Sequence, residues 1–348
     1  MARGGDIDLR ARKYSERLGV ICDAQFQRAL DTFGLGRFLG AEPIAQGLFG
    51  QNVYVTSSRG EFVLRGKPHY DWQFPNEQMF ADLLHARTRV PVPHPYLLDP
   101  DPAIFGWPYV IMPRLAGINL SDDVDETLRG ADRLEIAVAQ GRLLAEAQRL
   151  THPFCGKFDA ASGGIRPYEG DWFPVFARQT MELLRRAASY NANTPDRDLE
   201  WAAELIAAAQ AAMDDFRPTF FMQDYKPGNM VADVVDGRWQ ITGLFDLMEA
   251  SYGHPEADLS RLWAVYVEKG RDDLAYAFLH AYLPATVDVE RFAQRFPLFM
   301  LHDRSLIWEW VQRSGRAWWD GRWTFRVWVE RFLRMDRNRL AGGPPTGA

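Results

Sequence analysis

The sequence contains few residues that could form disulfides or metal clusters. Its 348 residues include two cysteines, Cys22 and Cys155, which lie far apart in the chain. A disulfide framework is therefore not expected, and a reducing compartment fits this composition. The seven histidines form neither an HExxH motif nor a Cys/His cluster. The pattern thus indicates no structural or catalytic zinc site.

Long apolar runs and excess positive charge are also missing. No stretch reaches the ~20 apolar residues that a membrane span requires, and the N-terminal "MARGGDIDLRARKYSERLGV" lacks the apolar core of a secretory signal. The formal net charge of −6 argues against a nucleic-acid partner. The composition therefore predicts a cytoplasmic protein with neither a membrane nor a nucleic-acid partner. It leaves the oligomeric state open.

The first third of the chain is predicted to be rich in strands. A short amphipathic helix is expected over 23–33, and strand signals dominate 37–66, where "NVYVTSS" and "EFVLRG" read as neighbouring strands. A helix is predicted over 75–88, with Asn76 as its N-cap. The apolar "WPYVIMPRLAG" then reads as a further strand that ends at a Pro/Gly break.

The rest of the chain is predicted to be mainly helical. Helices are expected over 131–150, 172–190 and 198–214. We place the boundary at the composition change near Pro113–Gly117. This predicts a nucleotide-binding lobe, a catalytic and substrate-binding lobe, and a disordered tail over residues 1–115, 116–340 and 341–348.

A polar, turn-rich segment interrupts the strand signals of the second lobe. It is "FMQDYKPGNM", which contains Asp224, Lys226 and Asn229. An ordinary loop would explain the composition, because Asp, Pro, Gly and Asn all favour turns. The Asp-x-x-x-x-Asn spacing is also typical of phosphoryl-transfer sites, where the Asp orients the attacking hydroxyl and the Asn holds Mg²⁺.

A hairpin is predicted directly after this loop. Asp236-Gly237 is a strong signal for a two-residue hairpin turn. If these two residues form the turn, Asn229 lies opposite Leu244. Asp246 then follows two positions later on the same face, ~7–8 Å away diagonally. Both side-chain oxygens could reach one Mg²⁺. The alternative is a hairpin whose two ends are polar by coincidence.

The segment "DYKPGN", followed by "FDLMEASYGHPEADLSRLW", resembles the aminoglycoside phosphotransferase family of small-molecule kinases. The resemblance extends over about residues 37–335. It implies an α+β, protein-kinase-like bilobed fold. A small β-rich N-lobe with one main helix would precede a larger α-helical C-lobe that carries the catalytic hairpin. The implied activity is transfer of the γ-phosphate of ATP, or of GTP, to a hydroxyl of a small molecule, with Mg²⁺ as cofactor.

The resemblance also assigns roles in the second lobe. Asp224 would be the catalytic base, and Asn229 and Asp246 would be the Mg²⁺ ligands. Asp258 would hold the catalytic loop in place. Lys226 would contact the transferred phosphate; the alternative is that it is a solvated loop charge.

In the first lobe, the resemblance places Gly47 and Gly50 of "GLFGQNVYV" in the loop that covers the phosphates. Two glycines three residues apart are equally typical of a plain β-turn. Arg65 of "FVLRG" would bind the phosphates, since an arginine can contact phosphate oxygens in a bidentate manner. Glu77 would be its partner on the following helix. An acid near a helix start is also common for other reasons.

The carbonyl of Pro113 and the amide of Leu115 would bind the adenine edge. The sequence departs from the family pattern at two places. Met222-Gln223 replaces a His-Gly pair before the catalytic Asp, and His254 stands where an Asp is common.

Six tryptophans lie between residues 308 and 328. In the family, C-terminal helices help to wall the acceptor site, so these rings are candidates to contact an uncharged or modestly cationic acceptor with apolar or sugar-ring surface. The alternative is that they pack in the helical core. Three functions stay open: a small-molecule kinase, a nucleotide-binding pseudokinase, and a choline/ethanolamine-type kinase.

Overall fold

The computed structural model describes residues 11–44, 50–121, 126–213, 215–284 and 287–342. The strands of these residues are Ala11–Ser15 (β1), Gly19–Cys22 (β2), Phe38–Pro43 (β3), Asn52–Ser57 (β4), Gly60–Gly66 (β5), Leu97–Asp99 (β6), Tyr109–Pro113 (β7), Ile118–Asn119 (β8), Gly156–Asp159 (β9), Gly164–Pro167 (β10), Thr219–Phe221 (β11), Met230–Val235 (β12), Arg238–Leu244 (β13) and Ser251–Gly253 (β14). The α-helices are Asp23–Thr32 (α1), Gln73–Arg87 (α2), Gly130–Ala147 (α3), Trp172–Tyr190 (α4), Asp196–Gln210 (α5), Leu259–Glu268 (α6), Asp272–Tyr282 (α7), Val289–Ser314 (α8), Phe325–Leu333 (α9) and Arg337–Ala341 (α10).

The first lobe is built on an antiparallel five-stranded sheet in the order β3-β4-β5-β7-β6. The predicted strands and the helix α1 are confirmed. Alternation along β4 buries Val53 and Val55 in a core shared with Phe26 of α1. This sheet positions Arg65, near the end of β5, beside the second lobe.

The main helix of the first lobe begins earlier than predicted. Helix α2 starts at Gln73, so Asn76 is not its N-cap. Asn76 lies within the first turn of the helix, and its side chain is buried. The side-chain amide donates to the carbonyl oxygens of Met248 (2.8 Å) and Ala250 (3.0 Å). The local sequence suggested a cap because Asn favours that position, whereas the side-chain N–H groups bond to a distant part of the chain.

The second lobe is mainly helical, and the three predicted helices are confirmed as α3, α4 and α5. Helix α3 packs on α7, and α4 packs on α8, around one large hydrophobic core. The predicted boundary falls between β7, which belongs to the first sheet, and β8, which pairs with β12. None of the described helices combines the length and the apolar character that crossing a bilayer requires. Residues 343–348 of the predicted disordered tail lie outside the described residues.

The predicted hairpin forms, with one correction to its register. Asp236 and Gly237 have positive φ angles of 53° and 76°, as a two-residue hairpin turn requires. Thr242 forms a bulge that shifts the pairing beyond it by one residue, so Leu244 faces Met230 and not Asn229. The Thr242 hydroxyl donates to the carbonyl of Ala116, in the connection between the lobes (2.6 Å). This distant contact gives a physical reason for the bulge, which local spacing could not reveal.

Candidate active site

The predicted catalytic loop runs from β11 to β12, and Asp258 holds its start. The Asp258 carboxylate accepts hydrogen bonds from the backbone N–H groups of Met222 (2.6 Å) and Gln223 (2.7 Å). Burial raises the pKa of Asp258 to about 7, although the two donors favour its ionised form. Gln223 adopts a left-handed conformation with φ 72°. The loop is therefore fixed by backbone contacts that do not depend on the side chains of Met222-Gln223.

Asp224 lies at the centre of three polar contacts. Its Oδ2 accepts from Asn229 Nδ2 (3.0 Å) and pairs with Lys226 Nζ (2.7 Å), while Oδ1 pairs with Arg261 Nη1 (2.8 Å). Burial alone would raise the pKa of Asp224, but the charges of Arg261 and Lys226 outweigh it and lower that pKa. The carboxylate is consequently anionic at neutral pH.

Arg261 is a residue that the sequence analysis missed. Besides Asp224, it contacts Asp303 of α8 through its Nε, and Asp303 also pairs with Arg304. A signal for Arg261 was present, because it follows Asp258 by three residues at the start of α6 and so lies on the same side of that turn. Asp303 could not be found in this way, since it comes from a helix far along the chain.

Arg65, Glu77 and Asp246 form one cluster between the lobes, in which Arg65 and Glu77 are buried and Asp246 is partly exposed. Arg65 Nη1 contacts Glu77 Oε2 at 3.0 Å, and Nη2 contacts Asp246 Oδ1 at 2.7 Å. Glu77 accepts two further hydrogen bonds, from the Tyr96 hydroxyl (2.8 Å) and the backbone N–H of Leu247 (2.9 Å). The structure thus brings the predicted phosphate-binding cation, its helix partner and one predicted metal ligand into direct contact.

Asn229 and Asp246 line the same cavity and leave oxygen atoms available for a cation. Asn229 Nδ2 is used by Asp224, which leaves its Oδ1 as a free acceptor among the contacts of the described residues. Asp246 Oδ2 is likewise without a hydrogen bond there. An amide and a carboxylate oxygen suit Mg²⁺, which completes its shell with water and phosphate oxygens. The described residues contain no cluster of three or more His, Cys, Asp or Glu side chains that could hold a metal alone.

The first cavity, of about 250 Å³, lies between the lobes. Arg65, Asn229 and Asp246 line it at one side, and both predicted hinge residues, Pro113 and Leu115, line it at the other. Its position and lining suit a nucleotide, with the base near the predicted hinge and the phosphates near the charged residues.

The two glycines of the predicted phosphate loop are less informative. Gly47 lies outside the described residues. Gly50 has a φ of 57°, and its carbonyl accepts a hydrogen bond from the hydroxyl of Ser15 at the end of β1. Their role in covering the phosphates stays a prediction.

A second cavity, of about 540 Å³, opens beside the catalytic loop, where Gln223 is part of its wall. Aromatic side chains form much of this wall: Trp72, Phe158, Tyr168, Trp172, Phe176 and Phe221. The predicted tryptophans of 308–328 do not line it. Trp308 and Trp328 are fully buried. Trp319 stacks on Trp308 and packs at a tilt against Trp328, with ring centroids 5.4 and 4.4 Å away. These rings pack together because α8 and α9 face each other, so the alternative of core packing is correct for them.

Two lobes, a cavity between them and a polar loop with its hairpin form the arrangement of a protein-kinase-like phosphotransferase. A sequence model of the phosphotransferase enzyme family (APH) matches residues 40–294, well over half of the chain. The chain belongs to this family. That assignment confirms the predicted family and the predicted enzyme class, a kinase that transfers a phosphoryl group to an alcohol group. A comparison with curated protein sequences gives no significant match.

Solved structures confirm the bilobed fold. A Ralstonia eutropha JMP134 protein assigned to the aminoglycoside phosphotransferases is 16% identical with a TM-score of 0.59, over 89% of this chain and 96% of that one. Aminoglycoside 2'-phosphotransferase-IIIa in complex with GDP is 12% identical with a TM-score of 0.58, over 94% and 99%. Aminoglycoside phosphotransferase APH(4)-Ia in complex with ADP and hygromycin B is 14% identical with a TM-score of 0.57, over 92% and 98%.

Proposed function

We propose that the protein is a Mg²⁺-dependent small-molecule kinase that transfers the γ-phosphate of ATP or GTP to a hydroxyl group. The observation that carries the proposal is the position of Asp224 between the two cavities. Its carboxylate is bonded to Asn229, which lines the first cavity, and its chain neighbour Gln223 lines the second. A nucleotide in one cavity and an acceptor in the other would meet at this carboxylate.

Asp224 would accept a hydrogen bond from the acceptor hydroxyl and align it with the γ-phosphate. Phosphoryl transfer depends mainly on such positioning and on charge stabilisation. Because Arg261 and Lys226 keep Asp224 ionised, it can accept the bond without a prior loss of its own proton. Lys226, 2.7 Å from this carboxylate, would contact the transferred phosphoryl group.

In the first cavity, Arg65 would bind the α- and β-phosphates while Glu77 holds its guanidinium in place. Mg²⁺ on Asn229 and Asp246 would neutralise charge on the phosphate oxygens. Pro113 and Leu115 would offer a backbone acceptor and a donor to the base. Retention of Asp224, Asn229 and Asp246 together favours an active enzyme over a pseudokinase.

The test of this proposal is Asp246→Asn, studied by titration calorimetry with ATP and GTP in the presence and absence of Mg²⁺. We expect the parent to bind more tightly with Mg²⁺ and the variant to lose that difference, because one anionic ligand is gone. Asp233→Asn is the matched control, since Asp233 is an exposed carboxylate of the same hairpin. Equal Mg²⁺ dependence in parent and Asp246→Asn would show that the metal assignment is wrong.

A further inference from the structure

The second cavity contains a row of side chains that crosses four strands. The strand order is β10-β9-β14-β11, and the register pairs Arg166 with Lys157, Lys157 with Ser251, and Ser251 with Phe221. All four residues line the cavity. With ~4.8 Å between neighbouring strands, Lys157 lies ~10 Å and Arg166 ~14 Å from Phe221 at the backbone. Phe221 precedes Asp224 by three residues, so the row leads from the catalytic loop to two cations.

Arg166 and Lys157 lie opposite each other in the sheet, although both carry a positive charge. Like charges directly opposite each other in an antiparallel pair are destabilising. Among the described residues, neither Lys157 nor Arg166 forms an ion pair with a carboxylate within 4 Å. Asp159, on the same strand as Lys157, is hydrogen-bonded to Ser162, and the charge of Arg166 helps to lower its pKa without forming an ion pair with it. A ligand that carries negative charge would turn this repulsion into an attraction.

The other charges of the cavity do not cancel the pair. Arg186 of α4 adds a third cation to the lining, although its Nε lies 4.0 Å from Glu309, and the two acids of the lining are Glu182 and Glu249. Glu182 lies 3.8 Å from Arg178 of its own helix. Glu249 accepts a hydrogen bond from Gln73. Burial and the charges of Asp246 and Asp224 raise its pKa, which shows that Glu249 lies near these two acids, at the end of the cavity beside the catalytic loop. The end that holds Lys157 and Arg166 therefore stays positive.

We propose that the acceptor is an organic anion: a hydroxyl compound whose ring lies against the aromatic wall and whose carboxylate or phosphate group binds Lys157 and Arg166. This inference rests on the proposed kinase function. It argues against the polycationic aminoglycosides and against a choline-type acceptor, because a cation at Lys157 and Arg166 would be repelled. It also replaces the expectation of an uncharged or cationic acceptor.

The experiment is an acceptor screen with matched pairs of compounds. Phenyl β-D-glucuronide is compared with phenyl β-D-glucoside, hexose phosphates with the free hexoses, and hydroxyaryl carboxylic acids with their amides; kanamycin represents the polycations. Turnover is followed as nucleoside diphosphate formation, and binding is followed by calorimetry with a non-hydrolysable ATP analogue present. We expect the anionic member of a pair to bind and react better. If the neutral members or kanamycin are preferred, or if no anion binds, the proposal is wrong.

The best acceptor is then tested with the double variant Lys157→Gln, Arg166→Gln. We expect its KM to rise at least about tenfold, because both charge-assisted contacts of the anion are lost, while the nucleotide affinity changes less than about twofold and the melting temperature does not fall. Arg238→Gln, which removes an exposed cation of the β12–β13 hairpin, should leave KM unchanged. An unchanged KM in the double variant would overturn the proposal. A parent that binds no nucleotide would instead overturn the kinase function itself.

Discussion

At the scale of single residues, Asp224 is the group on which the proposed chemistry depends. It is part of the lining of neither cavity, and its link to the first, where the nucleotide is expected, is the hydrogen bond from Asn229. We therefore predict that Asp224→Asn keeps the nucleotide affinity of the parent but lowers kcat by about 10²–10⁴, the usual contribution of a positioned base. Steady-state kinetics on a verified acceptor and calorimetry with ATP measure the two quantities. A variant with an unchanged kcat would rule out Asp224 as the base.

Arg261 gives a second prediction at this scale, on pH dependence. Its positive charge favours the ionised form of Asp224 and thereby lowers the pKa of that carboxyl. Removal of the charge in Arg261→Met should raise this pKa, so the acid limb of the kcat/KM profile should move to higher pH. Arg261→Lys keeps a positive charge and should move the limb less.

The comparison of Met and Lys at position 261 separates charge from packing. Both variants lose the bridge between Asp224 and Asp303, and both should lower the melting temperature, because a buried acid then loses a partner. Only the charge-free variant should show the larger pH shift. If both variants keep the parental acid limb, Arg261 has a purely structural role.

At the scale of elements, local signals predicted most of the structure around the site. Asp236-Gly237 specified the hairpin because its turn requires two positive φ angles, and periodic apolar residues specified the helices. Contacts between distant parts of the chain account for what was missed. The bulge at Thr242 follows from a bond to Ala116, the start of α2 from bonds made by Asn76, and the Arg261–Asp303 pair from the packing of α6 on α8.

His254 shows how a departure from the family pattern is accommodated in an element. It precedes the short helix Pro255–Asp258, and its Nδ1 accepts the backbone N–H of Glu256 (3.2 Å), as a capping Asp would. This role requires a neutral ring. Burial, together with the charge of Arg295, lowers the pKa of His254 to about 3. The helix that carries Asp258 is therefore capped at neutral pH.

The capping role predicts a pH effect on stability. The folded-state pKa lies below the ~6.5 of an unfolded histidine, so the stabilisation is complete above pH ~6.5 and is lost as the pH falls towards about 3. In His254→Asn the free energy of unfolding should decrease less steeply with falling pH, by up to ~1.4 kcal/mol per pH unit. Urea unfolding at pH 7, 6 and 5 measures the slope. Equal slopes in parent and variant would contradict a buried neutral ring.

At the scale of the whole molecule, the two lobes are joined through the residues of the site. Asn76 and Glu77 of α2 bind the segment that follows Asp246, and Arg65 binds Asp246 itself. The sequence predicted these partners as members of one site, but it did not predict that the same contacts connect the lobes. Nucleotide binding and the relative position of the lobes should therefore depend on one set of side chains.

The tryptophans of 308–328 should stabilise the core and should not contact the acceptor. Trp328 is fully buried against Trp308 and Trp319, whereas Trp318 is 54% exposed. Trp328→Ala should lower the free energy of unfolding by about 3–5 kcal/mol, and Trp318→Ala by about 1 kcal/mol or less. Neither should change the acceptor KM by more than about twofold, because neither ring lines the second cavity.

Trp72 is the matched residue on the cavity side. Its ring lines the second cavity at the start of α2 and is half-buried. Trp72→Ala should raise the acceptor KM by about tenfold, since an aromatic contact of this size contributes about 1–2 kcal/mol, while the melting temperature stays close to that of the parent. Thermal unfolding and acceptor kinetics on the three variants measure both effects. If Trp328→Ala raises KM and Trp72→Ala does not, the acceptor binds among the C-terminal helices and the second cavity is not its site.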